Sequence, residues 1–368
     1  MNIGTSTTLL RNTLALATLS ACAILSTPAL AKTIVYVSNA DSQEIDILEL
    51  NPKDGNLSWI DKVKTGGNVM PLALSPDHHR LYASLRSQPY SVTTFAVDQQ
   101  SGKLRALSTV PLADNMANLA TDKTGRYLLA ASYTGHKISV NPIDALGIAQ
   151  SEGVQVTPTG KNAHQIGVDP TNKFVFASNL GSDVILQFHF DAATGSLTPN
   201  TPAAVSTAAG AGPRHFVFDP KHHYVYSTNE LNGTVNTYRY DGARGTLQLQ
   251  GTITAVPAGF QGDAPAPADI HITPNGRFVY ASERTSSTLA AYRVDARTGA
   301  LSSISSFATE TQPRGFNIDP HGKYLIAVGQ KSNGLTSYRI NQKTGALTTL
   351  QHLEVGKNPN WVEIINLP

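Results

Sequence analysis

Six chemically capable side chains stand at two fixed offsets from a recurring residue of this sequence. His164, Arg214 and Arg314 lie six positions before Pro170, Pro220 and Pro320; Arg86, Glu230 and Arg284 lie ten positions after Pro76, Pro220 and Pro274. A carboxylate and an imidazole among guanidinium groups can move a proton while fixed cations hold a developing oxyanion or a bound anion. His215 and His271 stand close to the same positions in sequence and are candidate substrate contacts. Other chemistries lack their residues. Cys22 is the one cysteine, so thiolate pairs and thiolate zinc clusters are excluded. There is no Gly-x-Ser-x-Gly elbow, no His-Glu-x-x-His and no EF-hand loop. Gly210-Ala-Gly-Pro-Arg-His215 precedes a strand instead of a helix, so it is not a dinucleotide fingerprint, and no cofactor or metal is expected.

The elements that must position these residues come from a repeat. The segments starting at Leu72, Ile166, Phe216, Ile270 and Phe316 align without gaps over thirteen residues, and Leu119 to Ala131 is a sixth copy with Lys123 in place of proline. Spacings along the proline column are 47, 47, 50, 54 and 46 residues, and the widest contains an Ala-, Pro- and Gly-rich stretch, 255–267, that reads as a long loop. Each copy is a strand, a tight turn and a second strand of alternating apolar residues. About twenty residues later comes Asp/Asn-x-x-x-Gly-x-Leu, as in Asp98 to Leu104 and Asp295 to Leu301, which reads as a hairpin between a third and a fourth strand. Four strands per fifty residues is the unit of a β-propeller blade.

The two ends of the chain supply one further unit. Thr33 to Asn39 matches the second strand of a blade that lacks a first, and Pro359 to Ile365 is a first strand one period beyond Pro313 to Asp319. The expected fold is therefore all-β: a seven-bladed β-propeller of four-stranded antiparallel blades, closed by N- and C-terminal strands that share one blade. Closure removes the exposed edges of an open sheet, so a monomer is expected. In such a fold the first strands line a central channel. Both offset columns then fall at the same mouth, one at the start of each first strand and the other at the end of the antiparallel second strand. Paired histidines His78-His79 and His222-His223 fall in the turns at the opposite end, where they are expected to be solvated.

Charge and the N-terminus bound the surroundings. With 28 Lys+Arg against 26 Asp+Glu, the net charge of +2 supplies no global field for nucleic acid, so arginines at the mouth mark a local site. Residues 1–31 hold no acid and one base, Arg11, then an apolar run from Thr13 to Leu25 and a small-residue end at Ala29-Leu30-Ala31. This is the pattern of a cleavable secretory signal peptide, too short to span a bilayer. The mature domain would be residues 32–368, periplasmic or secreted. A lipid anchor at Cys22, within Leu19-Ser20-Ala21-Cys22, is the alternative.

At Asn162-Ala-His-Gln-Ile166, Gly212-Pro-Arg-His-Phe-Val-Phe-Asp-Pro220, Ser227-Thr-Asn-Glu-Leu231 and Ala281-Ser-Glu-Arg284 the sequence resembles the propeller lactonase family, which includes propeller-type 6-phosphogluconolactonases and the fungal carboxy-muconate lactonising enzyme. The resemblance covers residues 33–367. It implies an ester hydrolase acting on a small-molecule lactone or anionic sugar derivative. It also implies an active site of His164, Arg214, Glu230 and Arg284, four residues that the offset columns select independently. In this assignment Glu230 or His164 is the base and the other the acid, Arg214 and Arg284 bind the carbonyl oxygen, and Arg314 and Arg86 extend an anion subsite. An exported propeller that only binds an acidic ligand or protein, and a muconate-type lactonising isomerase, are the alternatives. A carboxylate beside the arginines favours catalysis, because a binder of anions gains nothing from it.

Overall fold

The computed structural model describes residues 1–8 and 32–368, so the expected signal peptide, its cleavage site and Cys22 fall almost wholly outside the described residues. Each repeat opens on a short strand such as Pro213–Phe218 and then meets a residue that organises the turn, Asp in four repeats and Ser75 or Thr273 in the other two. The Asp219 carboxylate accepts the backbone N–H groups of Lys221, His223 and Tyr224, and Asp169 and Asp319 do the same in their own repeats. Two residues after the proline column the backbone enters the left-handed region, at His78, Gly125, Asn172, His222, Gly276 and Gly322. This column therefore holds Gly, Asn or His for conformational reasons. His78 and His222 stand in this column, and His79, His222 and His223 are exposed, in keeping with the solvated turns that the sequence leads one to expect.

The strands form seven four-stranded sheets in chain order, all antiparallel. The inner strands of blades 2 to 7 are Val69–Leu74, Met116–Thr121, Ala163–Val168, Pro213–Phe218, Pro267–Ile272 and Pro313–Ile318. Pro359–Asn366 is the inner strand of blade 1 and pairs with Thr33–Asn39 from Thr33↔Asn366 to Asn39↔Pro359. The strand exchange inferred from the two chain ends is thus observed. Several inner strands begin with proline, which suits the first residue of an edge strand whose N–H has no ladder partner.

The core lies between blades. Ile34, Tyr36, Ile45 and Ile47 of blade 1 pack with Leu72, Leu81, Ala83 and Phe95 of blade 2, and such clusters recur around the ring. Second-strand tyrosines reach into the outer hairpin of the next blade: Tyr36 donates to Gly102 O at 2.8 Å, Tyr226 to Gly299 O at 3.0 Å and Tyr280 to Gly345 O at 2.7 Å. The hairpin glycines have positive φ and sit against other second-strand side chains of the preceding blade, Gly102 on Ile34, Gly299 on Tyr224 and Gly345 on Phe278, so the Asp-x-x-x-Gly-x-Leu signature fixes blade-to-blade docking as well as the turn.

Blade 7 meets the closing strand at Gly315, where an added Cβ would lie 2.5 Å from the backbone oxygen of Asn360. Neither backbone can yield without opening the seam. Gly315→Ala is expected to lower stability by about 1–3 kcal/mol, the scale of overpacking, read as a reduced urea midpoint at unchanged slope. An unchanged midpoint would show that the seam is compliant.

Candidate active site

Every inner strand of the ring carries a register shift near its start, where it pairs with the second strand: between Ala163 and Gln165, Pro213 and Phe216, Pro267 and Ile270, Pro313 and Gly315, and equivalently in the other three blades. A bulge breaks strict alternation and re-aims side chains. A residue in the left-handed region precedes the strand at Asn162, Gly212, Gln312 and Asn358 and turns the chain into the channel. Local backbone, set by Gly, Asn and Pro, thus delivers His164, Arg214 and Arg314 to one mouth.

The centre of the site is Glu230. Its Oε2 lies 2.7 Å from Arg214 Nε and its Oε1 3.0 Å from Arg284 Nη2, so one carboxylate is clamped by two guanidinium groups. Arg214 is 1% exposed and its Nη1 donates to the backbone oxygen of Ala268. Arg284 donates from Nε to Ala266 O at 3.0 Å. Burial pushes Arg214 down to about 10, against the pull of Glu230, and it stays cationic at neutrality. Burial by itself would raise the Glu230 carboxyl, but Arg214, Arg284 and Arg314 outweigh it and hold it below the ordinary range. Glu230 is therefore ionised.

Arg314 has no carboxylate or hydrogen-bond partner among the described residues, although burial and the charges of Arg214, Arg284 and Arg86 all disfavour its cation. A guanidinium held in this way has its donors left over for a group from outside the chain. Arg86 is less available, because its Nε donates to Asn115 Oδ1 and its Nη1 lies 3.3 Å from Met70 Sδ. His164 is buried and packs edge-on against Tyr133 and His215, with ring centroids 5.7 and 5.1 Å away. Burial first, then Arg214, His215 and Arg314, keep it neutral well below the usual histidine range.

The remaining two candidates lie in a second group. His215 Nδ1 is 2.7 Å from Asp269 Oδ1, and His271 Nε2 is 3.3 Å from Asp269 Oδ2. With Asn118, Gln165, Trp361 and Glu363 these residues line a cavity of about 100 Å³ in the channel. Among the described residues, the hydrogen-bond and ring partners of His271 are Asp269 and Phe316, and none is an arginine. Burial pushes Glu363 up to about 7, while a bond from Trp361 Nε1 pulls the other way. A larger hollow of about 670 Å³ at the turns around Arg80 and Asp144 offers no comparable site, since the Arg80 guanidinium is spent on Leu146 O.

Sequence reasoning passed over Tyr133, Asp269, Trp361 and Glu363. Tyr133 stands in the same offset column as Glu230 and Arg284, but a phenol among arginines drew no assignment. Asp269 lies one residue past the column of Arg214, in the position of Asn118, Gln165 and His215, and that run of polar residues is the signal that would have found it.

A seven-bladed ring that holds a carboxylate clamped by arginines and a neutral imidazole at one mouth has groups of the kind that opening an ester uses. The chain belongs to the lactonase family of seven-bladed β-propellers, whose model matches residues 33–364. Among its relatives, the 6-phosphogluconolactonase of Pectobacterium carotovorum subsp. carotovorum (strain PC1) is 41% identical over 334 residues, 91% of this chain and 99% of the relative. That of Serratia proteamaculans (strain 568) is 41% identical over 335 residues, with the same coverage. The periplasmic gluconolactonase of Pseudomonas aeruginosa superposes with a TM-score of 0.84 at 26% identity, covering 92% of this chain and 100% of that one. The chain is thus an ester hydrolase that acts on lactones.

Proposed function

We propose that this protein is an exported lactonase that hydrolyses a sugar-type lactone at the mouth formed by His164, Arg214, Glu230, Arg284 and Arg314. The observation that carries the reading is the Glu230 carboxylate held between Arg214 and Arg284 while Arg314, close by, has no partner among the described residues. An anion-binding surface would not spend two of its cations on an internal carboxylate. A hydrolase needs both kinds of group: cations for the tetrahedral oxyanion and proton acceptors for the attacking water. Water adds to the lactone carbonyl, charge collects on the carbonyl oxygen opposite Arg214 and Arg284, and the ring C–O bond then breaks with its electron pair on the ring oxygen. The proton taken from water returns to that oxygen, giving the open hydroxy acid. Arg314, with Arg86 behind it, receives an anionic group of the substrate. His215 and His271 sit deeper, where they bound the floor of the substrate pocket.

Export is supported by residues 1–31, which have signal-peptide composition and end just before the family match begins at residue 33. The likeness to a periplasmic gluconolactonase points the same way. A lactone met outside the cytosol need not be phosphorylated, so glucono-1,5-lactone and its 6-phosphate are the two substrates to compare. No helix among the described residues is long and apolar enough to cross a membrane.

The test is a pH–rate profile on both lactones with purified protein. Glu230 and His164 are both in proton-accepting form at neutrality, and both are shifted downward. kcat/KM is therefore expected to stay flat as pH falls through 6.5, the ordinary histidine value, and to decline only below it. An acid limb centred at or above that value would contradict the electrostatics described here. Absence of turnover on both lactones from about pH 5 to 8, the window in which histidine titrates, would reduce the protein to a binder.

A further inference from the structure

Tyrosine hydroxyls brace this ring, and two of them are left over. Tyr36, Tyr226 and Tyr280 reach the hairpin of the next blade, and the other tyrosines among the described residues also engage their hydroxyls within the chain, except Tyr90 and Tyr133. Both exceptions stand near mouth arginines. The Arg86 cation and Tyr90 act on one another, and the charges of Arg214, Arg284 and Arg314 act on Tyr133.

Tyr133 is also the exception in its own column, ten residues past the recurring proline position. Arg86 bonds to Asn115, Glu230 and Arg284 pair with one another, Gln330 donates to Asn358 Oδ1 at 2.8 Å, and Leu180 is buried. Each of those side chains is spent inside the protein. Tyr133 spends its backbone and its ring but not its hydroxyl. Its carbonyl oxygen accepts from Asn162 Nδ2 at 3.1 Å, and its ring meets that of His164 edge-on at 5.7 Å. The Asn162 N–H in turn donates to His136 Nδ1 at 3.0 Å, so the turn 133–136 is tied at both ends to the residue two positions before His164. The ring is thereby held, half-buried, beside the reacting groups.

The free hydroxyl supplies what the rest of the mouth lacks. Guanidinium groups only donate, and both oxygens of Glu230 already face arginines. Those groups suit carbonyl and anionic oxygens, which only accept. A sugar hydroxyl carries a proton as well as lone pairs, so it is best met by a group that both donates and accepts. A neutral phenol does both. Burial, then the Glu230 charge, push Tyr133 up against the pull of the arginines, so it keeps its proton at neutrality.

We propose that Tyr133 is a specificity-determining residue of this site, whose hydroxyl exchanges a hydrogen bond with a ring hydroxyl of a polyhydroxylated lactone while the lactone carbonyl faces Arg214 and Arg284. This rests on the lactonase reading and deepens it by naming the substrate class. Because Tyr133 packs on His164, its partner is a hydroxyl near the reacting carbonyl, whereas Arg314 receives the anionic group. A lactone without hydroxyls leaves the phenol unpaired in a half-buried position, and a site that loses such a partner disfavours the substrate that lacks it.

Tyr133→Phe is the direct test. It keeps the ring against His164 and removes one oxygen that bonds to nothing among the described residues, so the melting temperature should stay within about 2 °C. The two probes are glucono-1,5-lactone and δ-valerolactone, the same six-membered ring without hydroxyls. The preference for glucono-1,5-lactone, read as the ratio of kcat/KM values, is expected to fall about tenfold, the scale of one neutral hydrogen bond. If the parent protein does not turn over δ-valerolactone, its inhibition constant against glucono-1,5-lactone hydrolysis takes the place of kcat/KM in that ratio. An unchanged preference overturns the proposal in either of two forms. Both rates held would mean that the hydroxyl meets only water, and both rates lowered together with the melting temperature would mean that it serves the fold. No turnover of either lactone by the parent protein would sink the lactonase reading, and gluconate binding by calorimetry then decides the fate of Tyr133. Binding about tenfold weaker in Tyr133→Phe supports the contact, and equal binding, or none by the parent protein, overturns it.

Discussion

Arg284→Ala is expected to lower kcat for lactone hydrolysis by about 100- to 1,000-fold, the range for loss of one preorganised oxyanion donor, with only a small change in the melting temperature. Arg284 and Arg214 differ in what they carry. Arg214 is 1% exposed, bonded to Ala268 O and closest to Glu230, so its removal would leave a buried carboxylate short of charge and would damage the fold as well as the chemistry. Arg284 follows the end of its strand, its side chain is 13% exposed, and it contacts the other oxygen of Glu230. Its loss frees that oxygen to water while Arg214 still neutralises the carboxylate. Glu230→Gln probes the same clamp from the inside. The amide cannot pair with two guanidinium groups, so Arg214 and Arg284 repel one another and the oxyanion site loses its shape. A loss of similar size is expected, this time with a measurable drop in stability, because one partner of a buried charge network has gone. Steady-state kinetics on the better of the two lactones, beside thermal melts, separates these effects. Full activity in both variants would remove the arginine–glutamate clamp from the mechanism.

The clamp and the residues around it show what the sequence could reveal. Blade number, strand order and closure were legible because each copy repeats the same local demands: an Asp, Ser or Thr oxygen to gather turn N–H groups, a left-handed residue two positions past the proline, and a Gly in the outer hairpin. These demands are met within a few residues of chain, so one copy reads like the next. The mouth residues were legible for a related reason. His164, Arg214, Glu230, Arg284 and Arg314 carry charge or an imidazole at positions that other repeats fill with Ala, Met, Leu, Tyr or Gln, Arg86 apart, and a ring fold converts equal offsets into spatial neighbours. Pairing was not legible. That Glu230 would take both Arg214 and Arg284 while leaving Arg314 unpaired depends on side-chain reach across three blades, which no periodicity encodes. Asp269 was hidden by backbone geometry. A regular strand sends consecutive residues to opposite faces, so a reader who places Ala268 at the mouth sends Asp269 away from it. The bulge at the start of each inner strand, between Pro267 and Ile270 in this blade, breaks that alternation and lets neighbouring positions both serve the channel. Tyr133 escaped for a chemical reason, since a phenol beside arginines suggests packing as readily as catalysis.

The largest structural effect is expected from removing residues 359–368. The strand Pro359–Asn366 is the inner strand of blade 1, and its ladder with Thr33–Asn39 joins the two ends of the chain. Val362, Ile364, Ile365 and Leu367 are buried in the clusters on either side of that blade. At about 1.5–3 kcal/mol for each fully buried aliphatic side chain, those four contribute roughly 6–12 kcal/mol. That is the size of the entire net stability of an ordinary domain, about 5–15 kcal/mol. The deletion also strips the inner edge of Thr33–Asn39 and breaks the bond from Asn317 to Val362 O, leaving an open ring with an unpaired strand beside an apolar cleft. Such an edge invites pairing between molecules. The truncated chain is expected to accumulate as aggregate, with any soluble fraction lacking a cooperative melt. Supplying residues 359–368 as a separate peptide should restore part of the soluble fold, because the missing interactions are those of one continuous strand. If a soluble truncated protein melts cooperatively within about 5 °C of the full chain, a shift of only about 1–2 kcal/mol, closure would be dispensable and six blades would hold the ring alone. The same strand contributes Trp361 and Glu363 to the channel cavity beside His215 and Asp269, so a truncated protein that did fold would still be expected to lose one wall of that cavity.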